Sequence, residues 1–309
     1  MGAGNLGSAL AVALHRAGYP VDAIIGRAGR SSSGRPSFKS QANIRKLAKA
    51  VHARVLADSL EGLRADVIWF SVPDGEIHRA SKDFAERARW TRAEWRKKIA
   101  LHSSGALGSD ELAVLRRQGA AVASVHPMMT FVGGAAPSLR GVPFALEGDA
   151  RAVRAARGIV LNLGGDAYAI RKADKAAYHA WGTFASPLLT ALLATTEQVA
   201  ALAGVKRTSA RRRMMPILKQ TVENYATRDP QDAFSGPIIR GDIETVKRHL
   251  RALSESPVAR DVYRALARAA VELLPGKSKG EMKNALRTRS PLLSSKARAK
   301  SRDAHSQRF

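Results

Sequence analysis

The chain opens on Gly2-Ala3-Gly4-Asn5-Leu6-Gly7, a GxGxxG turn followed at once by a helical pattern over residues 5–17. No other stretch of the 309 residues restricts the fold as strongly. Glycines at this spacing supply, in order, a tight turn, room for the backbone to approach a pyrophosphate, and close packing of a helix on a strand. A helix beginning near Asn5 offers an anion its free N–H groups and the positive end of its dipole. The motif alone is a weak signal. Its context decides: a strand before, a helix after, and a ribose-reading residue about 20 positions on. The helix is there, and a second strand arrives on schedule at VDAIIG, 21–26. The first strand is not, because Met1 stands where its last residue belongs. The expectation is that this strand lies ahead of Met1.

Past the turn the sequence alternates. Strands are expected at 21–26, 53–57, 66–72, 98–103, 120–126, 142–148 and 167–170, with helices near 41–52, 75–88, 109–118 and 150–162. DVIWFSV (66–72) is almost wholly apolar, as a strand buried on both faces must be. Such alternation predicts an α/β fold with a doubly wound, mainly parallel sheet covered on both faces, its first strand truncated. After Lys172 the strand signals stop. Residues 173–203, 207–226, 242–254 and 257–274 read as helices separated by Gly204, RDPQD, SGP and SESP. The expected division is therefore 1–168 for the α/β domain, 169–276 for an all-helical domain and 277–309 for a disordered basic tail.

Lys and Arg number 51 against 26 Asp and Glu, a net charge of +25. Residues 277–309 hold ten basic side chains and two acidic ones. A run like this is a solvated arm or an anion-binding one. It has no aromatic residue before Phe309 for stacking on bases, and no nucleic-acid module is recognisable, so a nucleic-acid partner is not expected. There is no cysteine, and the eight histidines form no metal-ligand spacing, so no metal is expected. The most apolar long stretch, Ser186 to Val205, contains Glu197 and Gln198 and suits a packed helix better than a membrane span. The expected compartment is the cytoplasm.

The position about 20 residues past Gly7 selects between dinucleotides. An acid there reads the ribose 2′-OH, and an arginine accommodates a 2′-phosphate. Arg27 holds that position, with Arg30 and Ser31 beside it. A guanidinium grips a phosphate through two parallel bonds, so NADP is favoured over NAD. The alternative is a solvated basic loop. Ligands of doubly wound sheets bind beyond the carboxyl ends of strands, which directs attention to SVPDGEI (71–77), HSSG (102–105) and HPMMTF (126–131). Val72, Pro73 and Ser103 are read as cofactor contacts and Asp74 as a helix cap. Ser104, together with His102 and Ser103, can bond a substrate carbonyl or carboxylate, or simply form a turn. His126 can donate to a developing alkoxide or amine, or be a core histidine. Lys175 and His179, four apart, share one helix face.

Together GAGNLGSALA, DVIWFSVPDGEI, LHSSGALGSDEL, VASVHPMMTF, KAAYHAWGTFASPLL and AFSGPIIRGD resemble a family of reductase-like proteins that joins a Rossmann-like domain to a helical domain of unknown function, DUF2520. The family is related to pyrroline-5-carboxylate reductase, ketopantoate reductase and the 6-phosphogluconate dehydrogenase superfamily. The resemblance runs from Gly2 to about Leu274. It implies an NAD(P)-binding fold whose helical domain mediates dimers and closes the substrate cleft. In related dehydrogenases a lysine on the first long helix after the sheet donates a proton to the carbonyl oxygen as hydride arrives, and an amide residue follows at the same spacing. The resemblance implies that role for Lys175. His179 stands where the amide would be, so the mechanism does not transfer directly. The expected activity is NADP-dependent hydride transfer to or from a small anionic carbonyl or imine substrate, a carboxylate by the charge argument. The alternative is an NAD(P)-binding or sensing protein without turnover.

Overall fold

The computed structural model describes residues 1–25, 38–56, 60–88, 90–133 and 137–287. Two compact units make up the chain, Met1–Ser186 and Pro187–Phe309.

In the first unit, α1 (Asn5–Arg16) follows the glycine turn and leads to β1 (Ala23–Ile25). Then come α2 (Phe38–Ala50), β2 (Arg54–Leu56), β3 (Val67–Phe70), α3 (Ile77–Ala88), α4 (Arg92–Trp95) and β4 (Ile99–His102). After these lie α5 (Ala113–Gln118), β5 (Ala121–Pro127), β6 (Pro143–Gly148), α6 (Ala150–Asn162), β7 (Asp166–Ala169) and α7 (Lys175–Thr183). Each expected strand is present, most of them shorter than the apolar run that signalled it. The mainly parallel α/β architecture is the expected one. One pairing runs the other way: β5 and β6 are antiparallel, whereas β3–β4, β4–β5 and β6–β7 are parallel.

The strands form two sheets, β1–β2 and β3–β4–β5–β6–β7. Met1 and Gly2 lie between them. The Met1 amine donates to Trp69 O at 2.5 Å, Ser71 N donates to Met1 O at 2.8 Å, and Gly2 N donates to Ile25 O at 3.2 Å. Met1 and Gly2 thus stitch the edge of β3 to the edge of β1.

Alternate residues along the strands feed opposite faces. Leu101, Ala123 and Val125 pack with Ala152, Ala156 and Val160 of α6. Ala100 and Val122 pack with Ile68, Phe70, Phe84 of α3 and Leu115 of α5. Trp95, 1 % exposed, meets Phe84 and Trp90 edge-on within this second core.

The second unit is helical: α8 (Leu189–Leu202), α9 (Arg207–Thr227), α10 (Pro230–Ala233), α11 (Pro237–Arg240), α12 (Ile243–Ala252), α13 (Pro257–Leu273) and α14 (Lys279–Arg287). Arg211 of α9 pairs with Glu197 of α8 at 2.7 Å, which answers the one acid in the apolar stretch. No described helix is long and apolar enough to cross a membrane.

Three expectations change here. The helix expected over 173–203 is broken into α7, a π turn (Phe184–Leu188) containing Pro187, and α8. Proline has no N–H to give and its ring crowds the carbonyl four residues back. The division between compact units falls at this turn and not at 168, because Lys175 and Tyr178 of α7 hydrogen-bond back to the sheet unit. The tail expected from 277 begins with α14, whose Met282 and Leu286 are fully buried beside Val246, Ala267 and Val271. Residues 288–309 lie outside the described residues.

Candidate active site

The three glycines of the opening turn do different work. Gly2 has φ +91°, and a Cβ there would stand 2.4 Å from Ser71 O. Gly7 packs α1 against the turn so closely that a Cβ would meet Gly2 O at 2.2 Å. Gly4 is the N-cap of α1, with ordinary φ of −71° and no atom within 4 Å of where a Cβ would sit. Close contact therefore dictates the outer glycines, and open space over a helix N-terminus surrounds the middle one. That open space faces the free N–H groups of the first turn, and such groups at a helix start favour an anion. Asn5 is exposed and ties the helix start to the loop beyond β5, Nδ2 donating to Phe131 O at 3.0 Å. Leu6 packs its side chain into the core, so only its backbone is available to a ligand. Arg27, Arg30 and Ser31 lie outside the described residues.

From Gly2 the contacts run along the carboxyl edge of the sheet. Val72, half-buried, and Pro73, exposed, follow β3 beside Gly2. Asp74 caps no helix; it opens a 3-10 turn, and its carboxylate accepts from Ser104 Oγ at 2.8 Å. The HSSG segment after β4 is largely committed to internal bonds. Ser104 N donates to His102 Nδ1 at 3.1 Å, so His102 Nε2 carries the proton and donates to Gly108 O at 2.9 Å. His102 is fully buried, and burial drops its pKa to about 4, so it stays neutral as a structural pin of the turn. Ser103 Oγ accepts from the Trp69 indole at 2.8 Å. Ser104 Oγ accepts from Leu107 N at 2.9 Å as well as donating to Asp74.

Lys175 is 1 % exposed. Its Nζ donates to Ser124 Oγ at 2.7 Å and to Ser104 O at 3.2 Å, and Ser124 Oγ in turn donates to Ser104 O at 3.0 Å. Burial pulls the Lys175 pKa down to about 8, with the charges of Glu147 and Asp74 opposing the drop. A buried ammonium held this way is a proton donor tuned near neutrality and a local positive charge.

His126, at the end of β5, is partly buried. Its Nδ1 lies 2.8 Å from Tyr178 OH, the two rings edge to face at 5.4 Å. Burial, reinforced by the charge of Lys175, holds its pKa at about 4. Its Nε2 edge meets the exposed His179 ring over Gly105: a Cβ on Gly105 would come within 2.8 Å of His126 Nε2 and 2.7 Å of His179 Cδ2. A glycine is needed where two imidazoles converge.

Of the residues expected to act on substrate, His126, His179, Lys175 and Ser104 come together in the first unit. Lys175 and the Ser104 hydroxyl are covered and bonded, while His126 and His179 present their edges. Two partners escaped the sequence reading. Ser124 is two residues from His126 on one strand, hence on the same face. Tyr178 is three residues from Lys175 on one helix. Those spacings were the available signals. Among the described residues no group of three or more His, Asp or Glu is placed to hold a metal ion.

Comparison with known proteins agrees with this frame. Residues 1–127 match the model of a Rossmann-like domain, and residues 142–270 match the domain of unknown function DUF2520. No curated protein matches the sequence. A Bacteroides fragilis protein described as a candidate NADP oxidoreductase superposes with a TM-score of 0.67 at 21 % identity, over 87 % of this chain and 95 % of its own. An imine reductase from Myxococcus stipitatus in complex with NADP+ gives 0.58 at 21 % identity, over 88 % and 92 %. A Plasmodium falciparum pyrroline carboxylate reductase with NADP bound gives 0.53 at 16 % identity, over 92 % and 96 %. At such identities the likeness shows the fold. The two family models lie in tandem over most of the chain, a Rossmann-like domain followed by a DUF2520 domain.

Proposed function

We propose that the chain is an NADP-dependent oxidoreductase acting on the C=O or C=N bond of a small anionic substrate. One observation carries the reading most: a helix N-terminus cleared by Gly4 lies on the same sheet edge as a buried lysine and two converging imidazoles. The solved structures with NADP bound support the choice of cofactor. The backbone of Gly2, Gly4, Asn5, Leu6 and Gly7 would hold the pyrophosphate. Arg27, Arg30 and Ser31 would grip the 2′-phosphate. Val72, Pro73 and Ser103 would line the nicotinamide side. When bound, the cofactor supplies or accepts the hydride.

The chain's own groups handle charge and protons. His126 and His179 reach a carbonyl oxygen or imine nitrogen above Gly105. His126, neutral at physiological pH, is oriented by Tyr178. Lys175, with its proton half dissociated near pH 8, places positive charge beneath the point where the reduced oxygen or nitrogen gains electron density. Ser104 and Ser124 hold that ammonium in place. The basic surface favours a carboxylate-bearing substrate. The helical unit is the proposed site of homodimerisation.

Side-by-side fluorescence titration with NADPH and NADH tests the cofactor. NADPH is expected to bind more tightly, and Arg27→Asp to weaken NADPH far more than NADH. Failure to bind either dinucleotide, or equal loss of both in the variant, overturns the assignment. The cover over Lys175 also suits a protein that holds the dinucleotide without turnover. Tight NADPH binding with no oxidation across a panel of keto acids and cyclic imines selects that second reading.

A further inference from the structure

Behind the His126 ring stand two phenols. The Tyr178 hydroxyl lies 2.8 Å from His126 Nδ1. Tyr168, on β7, meets the Tyr178 ring edge-on at 6.4 Å, and the two hydroxyls interact. The Tyr168 hydroxyl is buried and, among the described residues, makes no hydrogen bond of ordinary length. We propose that Tyr168 and Tyr178 fix the tautomer of His126, leaving Nδ1 bare and pointing Nε2–H at the substrate, so that the site takes a hydrogen-bond acceptor: a carbonyl oxygen or an unprotonated imine nitrogen. The substrate half of this inference rests on the proposed reaction; the tautomer itself does not.

Counting protons gives the direction. Burial raises the pKa of both phenols, so both keep their protons. Burial, with the charge of Lys175, keeps His126 neutral, so its ring has one proton to place. If Tyr168 donates to Tyr178 and Tyr178 donates to Nδ1, every buried hydroxyl proton has an acceptor. If Nδ1 carries the proton and donates to Tyr178, the Tyr178 proton must go elsewhere. One choice is His126 O, 3.4 Å away. That carbonyl is already in use. Met128 N donates to Pro143 O, and bonded pairs in an antiparallel ladder recur every second residue, so His126 O takes the Ala145 N–H. The other choice is Tyr168 O, which leaves the Tyr168 proton buried without an acceptor, at the full desolvation cost of that group.

Tyr178 and Tyr168 are therefore positioning residues. Neither touches the substrate, and both act through His126. A neutral imidazole aiming Nε2–H at a carbonyl oxygen stabilises the charge that grows there as hydride arrives. A protonated iminium brings a donor and no lone pair, so Nε2–H disfavours it.

Histidine-selective 15N NMR of the full chain, without dinucleotide or substrate, reads the tautomer directly. Protonated and bare ring nitrogens give separate signals, and the set lost in His126→Gln identifies His126. Expected at neutral pH are a bare Nδ1 and a protonated Nε2. Tyr178→Phe removes the donor to Nδ1, and Tyr168→Phe removes the group that directs it. Each should raise the Nδ1–H fraction by about threefold or more, because the partner of one ring nitrogen decides which nitrogen holds the proton. If Tyr178→Phe does not fold, Tyr168→Phe carries the test, with an unchanged melting temperature as its control. A protonated Nδ1 in the parent, or a tautomer unmoved in every folded variant, overturns the proposal. Dinucleotide binding alongside a protonated Nδ1 overturns this inference alone. The expected tautomer in a chain that binds neither NADPH nor NADH overturns the proposed reaction and its substrate class, and leaves the tautomer standing.

Discussion

Gly4 and its neighbours separate folding from binding at single-residue resolution. Gly4→Ala keeps an ordinary backbone and meets no atom within 4 Å, so its melting temperature should match the parent. Its methyl would stand in the proposed phosphate position, and NADPH affinity should fall by about tenfold or more, some 1.4 kcal/mol. Gly2→Ala and Gly7→Ala drive a methyl into backbone oxygens and should lose stability first. Equal melting losses in all three variants would sink this division of labour. Buried titratable groups make a second prediction. His102 and His126 have pKa values near 4 when folded and near 6.5 when unfolded. Between these values the unfolded chain binds protons that the folded chain refuses, so stability falls as pH drops from 6.5 towards 4. For fully buried His102 the loss is roughly 3 kcal/mol at 1.36 kcal/mol per pH unit. Lys175 acts in the same sense at higher pH: the unfolded ammonium keeps its proton between about 8 and 10.5, so stability rises across that window. Urea melts at each pH would show it, and a profile flat from 6.5 to 4 would refute the histidine contribution. Sequence spacing located Lys175, His126 and His179. It could not show that Lys175 is covered, because Ser124 and Ser104, which cover it, lie 51 and 71 positions away.

At the level of elements, strands buried on both faces were the most legible. Their long apolar runs leave few other structures open, and β4 and β5 fall within a residue or two of the expected limits. The antiparallel turn of β6 was not legible, because strand direction depends on the length and path of the connection and not on the strand's own residues. Helix α14 was hidden by composition. Five of its nine residues are charged or amide-bearing, yet Met282 and Leu286, four apart, form one buried stripe. Met282→Ala should cost about 2–5 kcal/mol. Ending the chain after Arg287 should leave the melting temperature unchanged, while ending it after Gly276 should lower it clearly. Equal stability of the two truncations would show that α14 contributes nothing to the core.

At the scale of the whole molecule, alternation of strand and helix followed by helix alone was enough to place the fold class. The compact units divide at Ser186 and Pro187, later than the alternation suggests, because hydrogen bonds hold α7 to the sheet. The helical unit leaves large apolar side chains in water: Ile217 is 69 % exposed, Tyr225 68 % and Val222 63 %, all on α9. An apolar surface of this kind marks a contact, and the proposed contact is a second copy. Light scattering should give the mass of a dimer, and Ile217→Lys with Val222→Lys should halve it. A monomer at all concentrations would remove the homodimer proposal.

The cover over Lys175 has a chemical consequence of its own. A lysine with a pKa near 8 is an efficient nucleophile, and aldehydes condense with such amines to give Schiff bases. A site that handles carbonyl compounds beside an open amine would modify itself. With Ser124 and the Ser104 carbonyl occupying its hydrogens and 1 % of its surface open, Lys175 keeps its charge available while its lone pair is out of reach.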